Sequence, residues 1–426
     1  MRVLFVSYPE KTIFQYLVPM VWAMRTAGHD VRFASQPGFA DVITQAGLTA
    51  QPVGRNHDPW RMADMDRDAV EAERAGLPAP YDAADDPEKA TWEWLLKGYT
   101  QAVAMWHKME NFPMIADLVE FARGWRPDLV IWEPTTFAGA IAAKACGAAH
   151  ARLLYSLDVF GVTRGHFLRL KQERGESEDP LADWLGSYAR KYGGEYTEDL
   201  ATGQFTIDQF PASLTMRADL HYLRTQYIPY GGPAVVPAWL RPRPEKPRVA
   251  LTMGLSATER YNGYTIRLQD IFDALADLDV ELVATIADKE KAKLDRVPAN
   301  ARIVPYVPLH ALAPTCSAVI HHAGLATLAT VSRYALPQLA LHWHFDQPAL
   351  AGNLARQGAG ISVGCGEATG EIVRESVLRL LNEPLFTERA RLLRDEIESV
   401  PTPNQLVPRI EELVARLRTT QSIQEG

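Results

Sequence analysis

Apolar residues run along this chain in two alternating rhythms. Short runs such as Val3-Leu4-Phe5-Val6 have the unbroken apolar character of a strand covered on both faces. Between them lie stretches whose apolar positions fall three and four apart, the spacing of one helix face. In the first half this predicts strands at 3–6, 31–34, 48–53, 129–131 and 151–155, with helices at 17–27, 39–46 and 138–146. Gly28 and Gly147 stand just past two of these helices, where a left-handed cap is wanted. Residues 229–247 hold too many prolines for either rhythm and read as a linker. The alternation then restarts, with strands at 249–253, 280–286, 302–304, 317–320 and 338–341. Helices are expected at 266–276, 324–333, 347–357, 371–382, 387–398 and 410–417. The fold class is therefore α/β, two Rossmann-like doubly wound parallel sheets facing each other across a cleft. The expected units are 1–228, the linker 229–247, a second domain 248–400, and a C-terminal helix and tail, 401–426, returning toward the first domain.

One stretch breaks the rhythm. Residues 58–90 are acidic and loop-like, and residues 91–122 carry aromatics at helical spacing, among them Trp92, Trp94, Tyr99 and Trp106. A long insertion in an α/β half commonly walls a ligand cleft. Core packing of a long helix is the competing reading for each aromatic.

Composition narrows the class. At 426 residues the chain exceeds one ordinary core. A net charge of −8, with Lys and Arg scattered, argues against a nucleic-acid partner. Three cysteines without CxxC spacing suggest thiols in a reducing compartment rather than a disulfide frame or zinc site. The N-terminus enters a strand pattern directly, and no apolar run approaches the ~18 residues of a membrane span. The expectation is a cytoplasmic, soluble protein.

The candidate chemistry concentrates in the second half. An apolar run ends in His321-His322-Ala323-Gly324-Leu325-Ala326-Thr327 and passes into a helix. A strand that delivers His and Thr to a helix N-terminus builds an anion site from free N–H groups, dipole and side-chain donors. His322, Gly324 and Thr327 are the expected phosphate residues, with His321 structural. Ser256, after the Met253-Gly254 turn, is a further phosphate donor or a plain turn residue. Tyr306, followed by Val307 and Pro308, suits stacking on a nucleobase. Asp346 and Gln347 open a helix, where Asp346 serves as a cap, a sugar-hydroxyl acceptor or both.

In this order the elements resemble the donor-site signature of family 1 glycosyltransferases of the GT-B fold. More narrowly, the chain resembles the bacterial enzymes that place TDP-deoxysugars on macrolide and anthracycline antibiotics. Stretches such as Ala23-Met-Arg-Thr-Ala-Gly-His29, residues 122–134, His150-Ala-Arg-Leu-Leu154 and Val236-Pro-Ala-Trp-Leu240 carry that resemblance. It implies inverting, metal-independent transfer without a cofactor, a TDP-sugar donor and a hydrophobic polyketide aglycone. It also implies dependence on an auxiliary activator resembling a cytochrome P450, with a homodimer left open. A nucleotide-sugar-binding auxiliary subunit and a sugar-nucleotide 2-epimerase share the architecture and stay as alternatives.

The chain departs from the family where the catalytic base belongs. The usual His after the first strand is Ile13, which cannot accept a proton. Glu133, after the strand ending near 131, is the expected base, with Asp158 and Glu10 as alternates; a structural tie within its turn is the competing reading of Glu133. Ile13, Trp92 and Trp132 are expected on the acceptor side. Ala323, Ala326 and Ala335 replace family glycines, and the methyl at Ala326 raises a steric question if φ must be positive there.

Overall fold

A computed structural model describes residues 1–57, 76–254, 264 and 266–424. The first domain is built on seven parallel strands, β1 (Arg2–Val6), β2 (Asp30–Ser35), β3 (Ala50–Pro52), β4 (Leu129–Trp132), β5 (Ala149–Leu153), β6 (Phe205–Asp208) and β7 (Tyr222–Arg224). Their order across the sheet is β3-β2-β1-β4-β5-β6-β7. Val3 and Phe5 enter one core layer and Leu4 and Val6 the other, which is why the run is apolar without a break. The second domain holds β8 (Arg248–Thr252), β9 (Glu281–Thr285), β10 (Ala301–Val304), β11 (Ala318–His321), β12 (Gln338–His342) and β13 (Gly360–Gly364). Their order is β10-β9-β8-β11-β12-β13, again all parallel.

In each sheet the order of successive strands reverses at one point, between β1 and β4 in the first and between β8 and β11 in the second. Ligands of such sheets bind outside the carboxyl ends at this switch. Gly254 after β8 and His322 and Gly324 after β11 accordingly line the interdomain cleft, opposite Thr12 and Ile13 after β1. An apolar cluster joins the two domains there, with Tyr16, Leu157, Phe160 and Tyr227 packed with Ala323, Leu325, Leu328 and Leu350.

Several element limits differ from the sequence pattern. The first helix spans Lys11–Thr26 and not 17–27, because Glu10 caps it and Pro19 is carried inside it. The final helix spans Pro403–Gln424 rather than 410–417. It crosses back to the first domain, burying Leu406, Val407, Ile410, Leu413 and Val414 among the β1 and first-helix residues. Strands β6, β7 and β13 and the helices Val159–Arg174 and Pro180–Lys191 have no counterpart in the sequence reading. Ser256, like part of the acidic stretch 58–90, lies outside the described residues.

The aromatic insertion folds as helices Trp92–Ala102 and Ile115–Trp125, joined through a π-turn at Val103–His107 and a short helix Lys108–Asn111. Its large rings mostly build core. Trp92 is buried and stacked on Phe167 at 5.1 Å, and the Tyr99 ring meets Phe167 edge-on at 5.0 Å. Trp94 is part-exposed and donates its indole N–H to Asp82 at 3.0 Å.

Candidate active site

The cleft between the domains encloses about 320 Å³. On the second-domain wall it is lined by His322, Gly324, Leu325, Ala326, Thr327 and Gln347, and by the stretch from Pro305 to His310. Facing these from the first domain are Thr12, Ile13, Gln15, Tyr16 and Tyr155.

The helix Leu325–Ser332 starts at Gly324, which has no side chain to cap it and no acidic residue in the first turn. Its first N–H groups therefore keep their hydrogen-bonding capacity for a ligand in the cleft. Thr327 adds a hydroxyl at the third helical position. His322 sits between two glycines. A Cβ at Gly254 would fall 2.5 Å from the imidazole Cε1, and one at Gly324 would strike its Nε2. Gly254 also has φ +72°, a conformation few side chains adopt. Both glycines thus clear the slot that the ring occupies, one after β8 and the other after β11. Burial lowers the His322 pKa to about 4, so the imidazole is neutral at physiological pH. Its Nδ1 is buried without a hydrogen-bond partner among the described residues.

His321 has the expected structural role. Its Nδ1 accepts from the Ala323 amide at 2.9 Å and its Nε2 pairs with Gln338 at 2.8 Å. That bond holds Ala323 at φ +62°. Ala335 (φ +54°) is likewise left-handed, so the strain expected at Ala326 falls at these two positions instead; Ala326 is helical.

Asp346 and Gln347, expected to act as a pair, have separate partners. Gln347 lines the cleft, its Oε1 accepting from the Trp343 and His344 amides at 3.2 and 3.3 Å. Two N–H donors fix that atom as oxygen and leave the amide NH2 as the end that can serve a ligand. Asp346 makes no cap bond to its own helix. It reaches across the cleft and accepts from the Leu157 amide of the first domain at 3.3 Å. Burial raises its pKa to about 7. A carboxylate raised in the fold contributes stability that is full below its unfolded pKa near 4 and is lost as pH rises through about 7. Urea midpoints should accordingly fall between pH 5 and 8, with a shallower slope in Asp346→Asn.

Tyr306, about half exposed, is on the cleft, whereas Val307 next to it is largely core. On the opposite wall, Ile13 and Tyr16 share one face of the first helix, three residues apart. Tyr16, Tyr155 and Tyr227 were not singled out in the sequence; the Ile13–Tyr16 spacing was the available signal.

Five expectations for this wall are corrected. Trp132 is fully buried on β4, with its indole N–H 3.3 Å from His150 Nδ1, and Trp92 is core, so neither reaches an acceptor. Asp158 is committed elsewhere. Arg152 grips both its oxygens at 3.0 and 2.7 Å, the Tyr222 hydroxyl donates at 2.6 Å, and the Gly161 amide donates at 2.8 Å as Asp158 caps Val159–Arg174. Glu10 caps the first helix through Thr12, with the amide at 3.1 Å and the hydroxyl at 2.9 Å. Glu133 is also sealed from the cleft. It accepts from the Thr135 amide at 2.8 Å and from the hydroxyls of Thr135 and Thr136, and Thr136 in turn accepts from the Tyr8 amide at 3.0 Å. Burial, partly offset by those donors, raises the Glu133 pKa to about 7.

Two facing Rossmann-like domains, an uncapped helix start with a neutral His on one wall and an apolar, tyrosine-rich wall opposite define a GT-B glycosyltransferase. Residues 22–254 match the erythromycin biosynthesis protein CIII-like N-terminal domain, and residues 269–413 match the corresponding C-terminal domain. The chain is 43% identical to the 10-deoxymethynolide desosaminyltransferase of Streptomyces venezuelae, over 98% of each protein. It is 41% identical to the aclacinomycin-T 2-deoxy-L-fucose transferase of Streptomyces galilaeus, over 98% of this chain and 97% of that one. The crystal structure of glycosyltransferase VinC in complex with DTDP superposes with a TM-score of 0.86 at 36% identity, covering 99% of this chain and 100% of VinC. The chain belongs to the erythromycin biosynthesis protein CIII-like family of glycosyltransferases.

Proposed function

We propose that the chain transfers a deoxysugar from a TDP-sugar to a hydroxyl of a hydrophobic polyketide-type aglycone, with inversion and without a metal. The observation that carries this reading is the uncapped start of Leu325–Ser332, with His322 and Thr327 beside it, facing the apolar wall of Ile13, Tyr16 and Tyr155. As the sugar–phosphate bond breaks, negative charge grows on the leaving diphosphate. Oriented N–H groups and neutral donors stabilise it there without reorganising. The activities named for the two relatives and the DTDP bound in VinC support a thymidine donor. Among the described residues no helix is long and apolar enough to cross a membrane. We place the enzyme in the cytoplasm, in keeping with its sparse, odd cysteine set.

Glu133 is better suited to positioning than to direct proton abstraction. Its carboxylate holds Thr135 and Thr136, and through Thr136 the Tyr8 amide, behind the acceptor wall. Glu133→Gln should therefore raise the acceptor KM more than it lowers kcat. A fall in kcat of about 10²–10⁴-fold with KM unchanged would instead mark a base.

An auxiliary protein resembling a cytochrome P450 is part of the proposal. A second, separate groove of about 950 Å³ runs between the insertion and Pro180–Lys191, lined by Val103, Phe112, Trp184 and Tyr188 among others. Met105 and Phe112 stand exposed there or on the adjoining helix turn. Such a surface suits a protein partner. The test incubates the purified chain with a TDP-deoxysugar and a macrolactone or anthracyclinone, with and without the P450-like protein. Glycoside formation that rises at least tenfold with the partner is expected. No glycoside in any combination, or epimerised donor in its place, would contradict the reading.

A further inference from the structure

The linker contributes a wall of the cleft. Pro229, Tyr230 and Gly231 line it at the end where Tyr306 stands, away from any helix or strand. The chain just before them is fastened to both domains. Arg333 of the second domain donates to the Gln226 Oε1 at 3.0 Å and to the Tyr227 carbonyl at 3.2 Å. Tyr227 stacks on Tyr16 of the first domain, with ring centroids 4.6 Å apart and planes within 14°. Just after Tyr230 come two glycines with little room around them. The Tyr306 hydroxyl donates to the Gly231 carbonyl at 3.3 Å, and a Cβ on Gly231 would lie 3.3 Å from that hydroxyl. Gly232, at φ +88°, leaves only 3.1 Å between a notional Cβ and Gln15 Nε2. Tyr230 is thus carried on a short segment tied at both ends, partly packed on the first-domain core and open to the cleft.

Two tyrosines, one from the linker and one from the second domain, therefore line the same end of a cleft whose other landmark is His322 and the uncapped helix start beside it. A flat aromatic ring joined to a diphosphate satisfies both ends, and aromatic faces prefer a stacked or edge-on ring to water. We infer that Tyr230 is the second face of a nucleobase clamp whose first face is Tyr306, so that the interdomain linker itself reads the pyrimidine of the donor. This rests on the glycosyltransferase reading and extends it, because it assigns donor recognition to a residue outside both sheets.

The test is calorimetric titration of thymidine diphosphate and of inorganic pyrophosphate into the full chain, Tyr230→Ala and Tyr230→Phe. Tyr230→Ala should bind thymidine diphosphate roughly tenfold more weakly with pyrophosphate binding unchanged, and Tyr230→Phe should stay within about twofold of the parent. Parent-like affinity of Tyr230→Ala for thymidine diphosphate would overturn the clamp. So would an equal loss for pyrophosphate, since the defect would then not concern the base. A parent chain that binds neither ligand would strike at the glycosyltransferase reading and take the clamp with it.

Discussion

Asp158→Ala should destabilise the protein by about 3–5 kcal/mol, because it leaves the Arg152 guanidinium charged, fully buried and without its bidentate partner. The substitution also removes the Gly161 cap bond from Val159–Arg174 and the acceptor of the Tyr222 hydroxyl on β7. Against a typical total stability of about 5–15 kcal/mol this is enough to lose much of the folded population. Chemical denaturation followed by circular dichroism measures it. Replacing Arg152 and Asp158 together by Met and Leu should recover most of the loss, since no unpaired charge then remains. A stable Asp158→Ala protein with normal fold and abolished turnover would show instead that Asp158 works in the chemistry.

His322→Ala is expected to lower kcat/KM by about 5- to 150-fold, the equivalent of roughly 1–3 kcal/mol for a donor to a charged group. The fold should tolerate the change, since the His322 ring lies at the cleft and between two glycines rather than in the apolar core. Gly324→Val should imitate it by pushing the imidazole from its slot. With burial holding the His322 pKa to about 4, the defect should be nearly constant from pH 6 to 9. A defect confined to acid pH would mean that the imidazolium, and not the neutral ring, meets the phosphate.

Local pattern carried much of this into the sequence, and non-local pairing carried the rest. The run before His321 and the periodicity after Gly324 announce a strand and a helix start, so the uncapped helix start beside His322 was legible from residues close in the chain. The reason for Gly254 was not, because β8 and β11 become neighbours only in the sheet, where a residue nearly seventy positions away needs the space. Asp158 follows a strand end as a base would, and its true partner, Arg152, is hidden in an apolar strand. A lone Arg in Ala-His-Ala-Arg-Leu was itself a signal, since a buried guanidinium demands a carboxylate. Trp132 could have been read correctly as well. A strand that is apolar at every position has both faces covered, which leaves its indole no route to the cleft. Asp346 reads as a cap at the start of a helix, and only the approach of the two domains turns it toward the Leu157 amide. Tyr230 in the linker was obscured by the prolines around it, which mark a connection and say nothing of what it faces.

The position of the nucleotide tests the central claim most directly. A crystal structure of the full chain with thymidine diphosphate should show the diphosphate oxygens within hydrogen-bond distance of His322, Thr327 and the first N–H groups of Leu325–Ser332, with the thymine beside Tyr306. A nucleotide seated instead in the groove of Phe112, Trp184 and Tyr188, or one whose phosphates make no contact with His322 and Thr327, would contradict it.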